Sequence, residues 1–186
     1  LVATSDVFFA KYGPATDTPC TPEILITHAG DSVTVAEGST AEFSVVLTSR
    51  PSHDVTFSVS VDDGTVASVS PTELTITPDN WDGAVDADAV KVTVTGFDDS
   101  VIEVVDQTAN ITVGPGVSDD DDYDGLGVQT FTVTTSDNDT AEFVLEDTPI
   151  TVKESETADF TVVLNSRPSH DVTFSVSVDD GTVASV

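Results

Sequence analysis

Acidic side chains gather at three places in the chain, and carboxylates in loops are what hard cations bind. Glu37 closes the short apolar run Val33-Thr34-Val35-Ala36. Asp98, Asp99, Glu103 and Asp106 share the run Asp98-Asp99-Ser100-Val101-Ile102-Glu103-Val104-Val105-Asp106. Asp137 and Asp139 flank Asn138. Calcium takes about six to eight oxygen ligands, mostly carboxylates and backbone carbonyls, from flexible loops. Without a cation such a cluster is unfavourable: two carboxylates about 4 Å apart repel by roughly 4 kcal/mol at an effective dielectric near 20. A bound divalent ion reverses that sign and links ion binding to stability.

Other chemistries are poorly represented. His53 and His170 occupy the same Pro-Ser-His-Asp turn in two copies of one sequence, which suits a surface turn better than a catalytic base. His28 has no Cys or His at zinc-ligand spacing. No Gly-x-Ser-x-Gly elbow and no glycine-rich phosphate loop is present, so the chain reads as non-enzymatic. Trp81 reads as a core anchor, since aromatic rings mostly bury. Cys20 excludes an intrachain disulfide and leaves an inert thiol or an intermolecular bridge. Most of the 34 acidic residues read as solvated surface. The run Asp119–Asp122, with Asp124, reads as a flexible solvated loop because adjacent carboxylates repel, with a second ion site as the alternative.

The overall charge narrows the partners. The 186 residues carry 34 Asp and Glu against 5 Lys and Arg, a formal charge of −29. That excludes nucleic-acid binding by phosphate neutralisation and argues against anionic lipid. A hydrophobic fraction of 38% argues against a disordered acidic tail. No run of about 18 apolar residues occurs, so membrane insertion is not expected. Acid excess with few lysines fits salty, halophilic surroundings, where counterions relieve self-repulsion. The chain starts at Leu1 and contains no Met, which reads as a processed product or a window from something longer.

The elements that must position the acids come from a repeat. The 21 residues Ser49–Val69 recur letter for letter at Ser166–Val186, 117 residues later. Upstream, Asp31–Thr48 aligns with Thr148–Asn165, placing Glu154 opposite Glu37; 30 of 39 aligned positions are identical. A period near 117 is the size of one sandwich domain and too long for a solenoid. Residues 24–139 are then one complete repeat. Residues 140–186 are the first part of a second, either truncated or completed by a neighbouring chain. Residues 1–23 are a strand and linker or the end of a preceding domain, with Asp6–Tyr12 as its strand.

The local pattern is β throughout. Thr40–Thr48, Val55–Val61, Ala89–Thr95, Thr108–Val113 and Val128–Thr134 alternate apolar and polar residues and are rich in Val, Thr and Phe. Turn signals at Glu37-Gly38, Arg50-Pro51, Asp63-Gly64 and Asp124-Gly125 separate them. About seven strands per repeat predict an all-β fold of tandem Ig-like antiparallel β-sandwiches.

These motifs resemble the Calx-β domain family of sodium/calcium exchangers, integrin β4 and bacterial surface arrays. Asp98–Asp106 is similar to its DDxxxExxE calcium loop, Glu37 to the acid closing its first strand, and Asp137-Asn138-Asp139 to its terminal acidic triplet. Thr77–Asp82 resembles the bacterial branch, with Trp81 before the next strand. The resemblance implies Ca2+ held by Glu37, Asp98, Asp99, Glu103, Asp106, Asp137 and Asp139, with the Val101 carbonyl as a backbone ligand. Asp106 stands where the family has Glu, and Asn138 interrupts the triplet; both predict fewer ions or weaker affinity. The implied function is a structural repeat of an extracellular or cell-surface stalk, adhesin or filament, stiffened by calcium at the junction. Its partners are neighbouring repeats of the same or an identical chain. The alternative is an adhesion module that binds a glycan or a receptor through sandwich loops, with Trp81 or Tyr123 exposed as a stacking platform.

Overall fold

The computed structural model describes residues 21–27, 32–84 and 90–186. Asp6–Tyr12, Cys20, His28 and Ala89 lie outside them.

Among the described residues ten strands lie between positions 24 and 136, more than the seven expected. They are β1 (Ile24–Thr27), β2 (Val33–Ala36), β3 (Thr40–Leu47), β4 (Val55–Val61), β5 (Ala67–Ser70), β6 (Glu73–Ile76), β7 (Lys91–Gly96), β8 (Gln107–Val113), β9 (Val117–Ser118) and β10 (Gln129–Ser136). The long strands follow the alternation: β7 buries Val92, Val94 and Gly96, and β4 buries Val55, Phe57 and Val59. The additional strands are short, four residues or fewer, and too brief to show a period.

One sheet runs β1-β3-β7-β5 and the other β2-β10-β8-β4-β6, with β9 also against β4. Together they form an all-β sandwich. Val45, Phe43, Val92 and Val94 from the first sheet meet Phe57, Ile76, Ile111, Val113 and Val133 from the second in one core. Each such side chain contributes about 1.5–3 kcal/mol by burial. Pairing is antiparallel except β2 with β10, which is parallel from Val33↔Val133 to Ala36↔Ser136. That parallel pair carries β2 and β10 side by side to the same end of the sandwich, so the residues following both strands emerge together.

Behind Ala36, Gly96 lies so close that a Cβ there would sit 2.7 Å from the Ala36 carbonyl oxygen. Only glycine allows β7 to approach β2 that closely, and Glu37 pairs with Gly96 in an isolated bridge. At the other end of β3, Leu47 N–H donates to the Trp81 carbonyl at 2.8 Å, while the Trp81 ring packs half-buried against the core.

Residues 140–186 are organised differently. Their strands are β11 (Phe143–Glu146) and β12 (Thr161–Leu164), paired antiparallel as Phe143↔Leu164 through Glu146↔Thr161. The pair repeats β1 with β3. Asn165 N–H donates to the Glu142 carbonyl at 3.0 Å, as Thr48 N–H donates to that of Glu23 at 3.0 Å. The β3 and β12 positions are offset by 117 residues, but those of β1 and β11 by 119, because the connection after the first strand is two residues shorter in the second copy.

Candidate metal centre

Three strand ends converge where β2, β7 and β10 finish. Glu37 follows β2, and its N–H donates to the Ser136 carbonyl at the end of β10 at 3.1 Å. Gly38, at φ +67°, turns the chain so that its N–H reaches the Gly96 carbonyl at 3.2 Å. The connection from β7 to β8 carries Asp98 to Asp106, and Asp137 to Asp139 follow β10. Residues separated by a hundred positions thereby meet at one end of the sandwich.

Carboxylate oxygens of Glu37, Asp137 and Asp139 lie within 4.8 Å of one another, as do those of Glu37, Asp99 and Glu103. Glu37 belongs to both groups and is buried, with 6% of its surface accessible. Such buried acidic groups can hold a metal ion, and the shared glutamate offers one carboxylate between two neighbouring positions. Side-chain oxygens of three residues, Glu37 Oε2, Glu103 Oε2 and Asp139 Oδ2, are buried with no hydrogen-bond partner. Burying an unpaired carboxylate oxygen is costly, and a cation is the partner that removes the cost most completely.

The remaining oxygens are held by hydrogen bonds that fix their positions. Asp137 accepts from Glu103 N–H at 3.0 Å and from Asp139 N–H at 2.7 Å. Asp99 accepts from Val101 N–H at 2.6 Å. Glu103 Oε1 accepts from Gln107 Nε2 at 2.9 Å. Asn138 Nδ2 donates to the Glu37 carbonyl at 3.0 Å and makes a long bond to Asp98 Oδ1 at 3.4 Å. Asn138, which interrupts the acidic triplet in sequence, therefore ties the β10 end to the β2 end. Neither Gln107 nor this role of Asn138 carries a signal in the sequence, since both are amides among many polar residues.

The electrostatics follow from the geometry. Burial pushes the Glu37 carboxyl above its ordinary 4.5, helped by the negative charges of Glu103, Asp99 and Asp137 and opposed by a hydrogen bond from the Asn138 backbone. Burial also raises Asp139 above 3.8, with Asp137, Asp99 and Asp98 adding to it. The ion pairs among the described residues, Arg50 with Asp79 at 3.3 Å and Lys91 with Glu42 at 3.6 Å, lie elsewhere.

Of the eight residues singled out in the sequence, Glu37, Asp99, Glu103, Asp137 and Asp139 meet in these two groups. Asp98 stands at the rim, against Gly38 and within Coulombic reach of Asp139. Asp106 is exposed and belongs to neither group. Val101 is exposed too, and it lines a groove shared with the second copy.

The acidic run Asp119–Asp122, expected as a solvated loop, forms a hydrogen-bonded turn in which Asp119, Asp121 and Asp122 are exposed. Asp120 accepts from Ser52 N–H at 2.6 Å, Ser52 Oγ at 2.8 Å and Asp122 N–H at 3.1 Å, which draws its carboxyl below 3.8. Backbone donors thus offset the repulsion that the sequence suggested. Tyr123 in the same turn is buried, its hydroxyl donating to the Ser49 carbonyl at 2.6 Å. With Tyr123 in the core and Trp81 half-buried, neither ring is the exposed platform that glycan stacking needs.

No family model matches the chain, and no curated protein matches it. Solved structures with a similar layout include SSP-19, an MSP-domain protein-like family member in Caenorhabditis elegans. That match is at 12% identity, over 57% of this chain and 94% of that one, with a TM-score of 0.39. Domains 4 and 5 of the S-layer protein SbsC match at 20% identity, over 61% of this chain and 53% of that one, with a TM-score of 0.35. Domains 1–6 of the same surface layer protein match at 15% identity over 77% of this chain, with a TM-score of 0.36; the match spans 21% of that structure.

Proposed function

We propose that this chain is a non-enzymatic structural repeat of an extracellular or cell-surface assembly, in which calcium at the end of residues 24–139 stiffens the junction to the following repeat. The observation that carries the ion is the set of buried, unpartnered oxygens on Glu37, Glu103 and Asp139 in one acidic cluster. The ligands are Glu37, Asp99, Glu103, Asp137 and Asp139, with Asp98 at the rim. Calcium suits this donor set because it is all oxygen and comes from loops, where nitrogen or sulfur would favour zinc. The junction reading draws on Asp137 and Asp139, which stand between β10 and the second copy of the repeat. The charge of −29 supports salty surroundings outside the cell and keeps neighbouring repeats apart.

A thermal melt of the 186-residue chain in chelator, in calcium and in molar potassium chloride tests the ion. Calcium is expected to raise the midpoint by an amount that salt does not reproduce. At a free concentration about 100 times its dissociation constant an ion stabilises by about 2.7 kcal/mol. Stabilisation by salt with no further response to calcium would sink the reading.

A further inference from the structure

The connection between β7 and β8 has two faces. Asp99 and Glu103 turn toward Glu37, while the residues between them meet the second copy of the repeat. The Ser100 carbonyl accepts the N–H of Arg167 at 2.6 Å. Val101 and Ile102 line a groove of about 780 Å³ whose far wall is Phe143, Leu164, Arg167 and Phe174. Phe143 and Phe174 meet edge-on there, 5.1 Å between ring centres. Arg167 is one of only five Lys and Arg residues in the chain, and the connection that meets it is strongly acidic.

We propose that the β7–β8 connection is a docking lip whose partner is the Ser-Arg-Pro turn of the next repeat in the chain. The contact combines one backbone hydrogen bond from that turn with an apolar seat, the groove that Ile102 lines together with the turn and Phe174. It rests on the tandem-repeat reading given above but not on calcium, since the groups involved are a carbonyl, an amide N–H and apolar side chains. The lip sets how one repeat sits on the next.

The repeated sequence supplies its own control. Arg50 and Arg167 share the sequence Ser-Arg-Pro-Ser-His-Asp, so their amides have the same intrinsic exchange rate. Among the described residues the Arg50 N–H has no acceptor, and the local Ser–His contact is the same in both turns, 3.0 Å from Ser52 Oγ to His53 Nδ1 and from Ser169 Oγ to His170 Nδ1. Amide hydrogen exchange by NMR on the 186-residue chain, in chelator and in calcium, reads the difference.

Arg167 is expected to exchange at least about tenfold more slowly than Arg50, the span of a modest local opening energy. Ile102→Ser and Phe174→Ser are each expected to return Arg167 to the rate of Arg50 while leaving the melt of residues 24–139 unchanged. Equal rates in the parent chain would overturn the docking. Protection that survives both substitutions would overturn it too, because the hydrogen bond would then not depend on the seat. A chain that melts higher in calcium yet shows equal rates would refute the docking and leave the ion reading standing. The reverse pattern would refute the ion alone.

Discussion

The same 21 residues fold in two ways within one chain. At Ser49–Val69 the segment supplies β4 and β5, and Val55 and Phe57 have no accessible surface. At Ser166–Val186 it forms no strand; Val172 is 50% exposed and Phe174 40%. Local features survive the change of place. Asp63 accepts from Thr65 N–H at 2.9 Å and Thr65 Oγ1 at 2.6 Å, and Asp180 accepts from Thr182 N–H and Oγ1 at the same distances. What differs is partners. β4 pairs with β6, β8 and β9, and no counterparts of β6 to β10 follow within the 186 residues. Strand β3 makes the same point: its Ser44–Leu47 half pairs with β1 and its Thr40–Ser44 half with β7. In the second copy β12 keeps only Thr161–Leu164, the half whose partner is present. Turns are a property of neighbouring residues, whereas strands belong to the pair.

The largest expected effect tests that contrast directly. Phe57→Ala removes a fully buried ring and should cost about 3–5 kcal/mol in denaturant unfolding of the 186-residue chain. Phe174→Ala, at the identical sequence position, should stay within about 0.5 kcal/mol. Equal losses would show that the second copy holds a core of its own.

The acidic cluster divides the two copies in the same way. Glu37 is buried among Asp99, Glu103, Asp137 and Asp139, while its counterpart Glu154 is exposed. Glu37→Gln should abolish the calcium-dependent rise in melting temperature, removing about 2.7 kcal/mol at a hundredfold excess over the dissociation constant. Glu154→Gln should leave it intact. A calcium response that Glu37→Gln preserves would move the ion elsewhere.

This asymmetry marks how far the sequence could be read. Alternation over Val55–Val61 predicted β4 with both ends in place, because a half-buried strand writes its period into its side chains. The four-residue strands β2, β5 and β6 left no such trace. Acids that follow a strand, such as Glu37 and Asp137, were legible because strand ends collect in loops. Asp106 was carried along by its motif, yet it is exposed. Asp120 was misread because repulsion within a run can be counted from sequence, whereas the Ser52 N–H that offsets it comes from 68 residues away. The Asn138 bond to Glu37 spans 101 residues and was hidden for the same reason.

A smaller effect lies in pH. Glu37 and Asp139 have folded-state values raised above 4.5 and 3.8, so in this window the folded state binds more protons than the unfolded one. In chelator these two groups should therefore make the chain less stable as pH rises through the window above those values. Asp62, Asp63 and Asp120 are lowered and act oppositely, contributing stability that is lost as pH falls below 3.8. The chelated protein should be most stable between the two regimes. Calcium needs ionised carboxylates, so its benefit should grow with pH and offset the decline. Unfolding midpoints across pH 3–8, with and without calcium, separate these slopes; parallel curves would remove the cluster as their origin.

The smallest effect concerns what the two copies share. Asp63 and Asp180 each cap a turn through the threonine two residues on, and both carboxyls are drawn below 3.8 by those bonds. If the turn is local, it forms whether or not a sandwich surrounds it. Thr182→Ala should then raise the Asp180 pKa, followed by NMR titration, as Thr65→Ala raises that of Asp63. Global stability should respond only to Thr65→Ala, and there by a small decrease. An Asp180 that titrates normally in the parent chain would mean the turn needs the sheet, and the division between local turns and shared strands would fail at its simplest point.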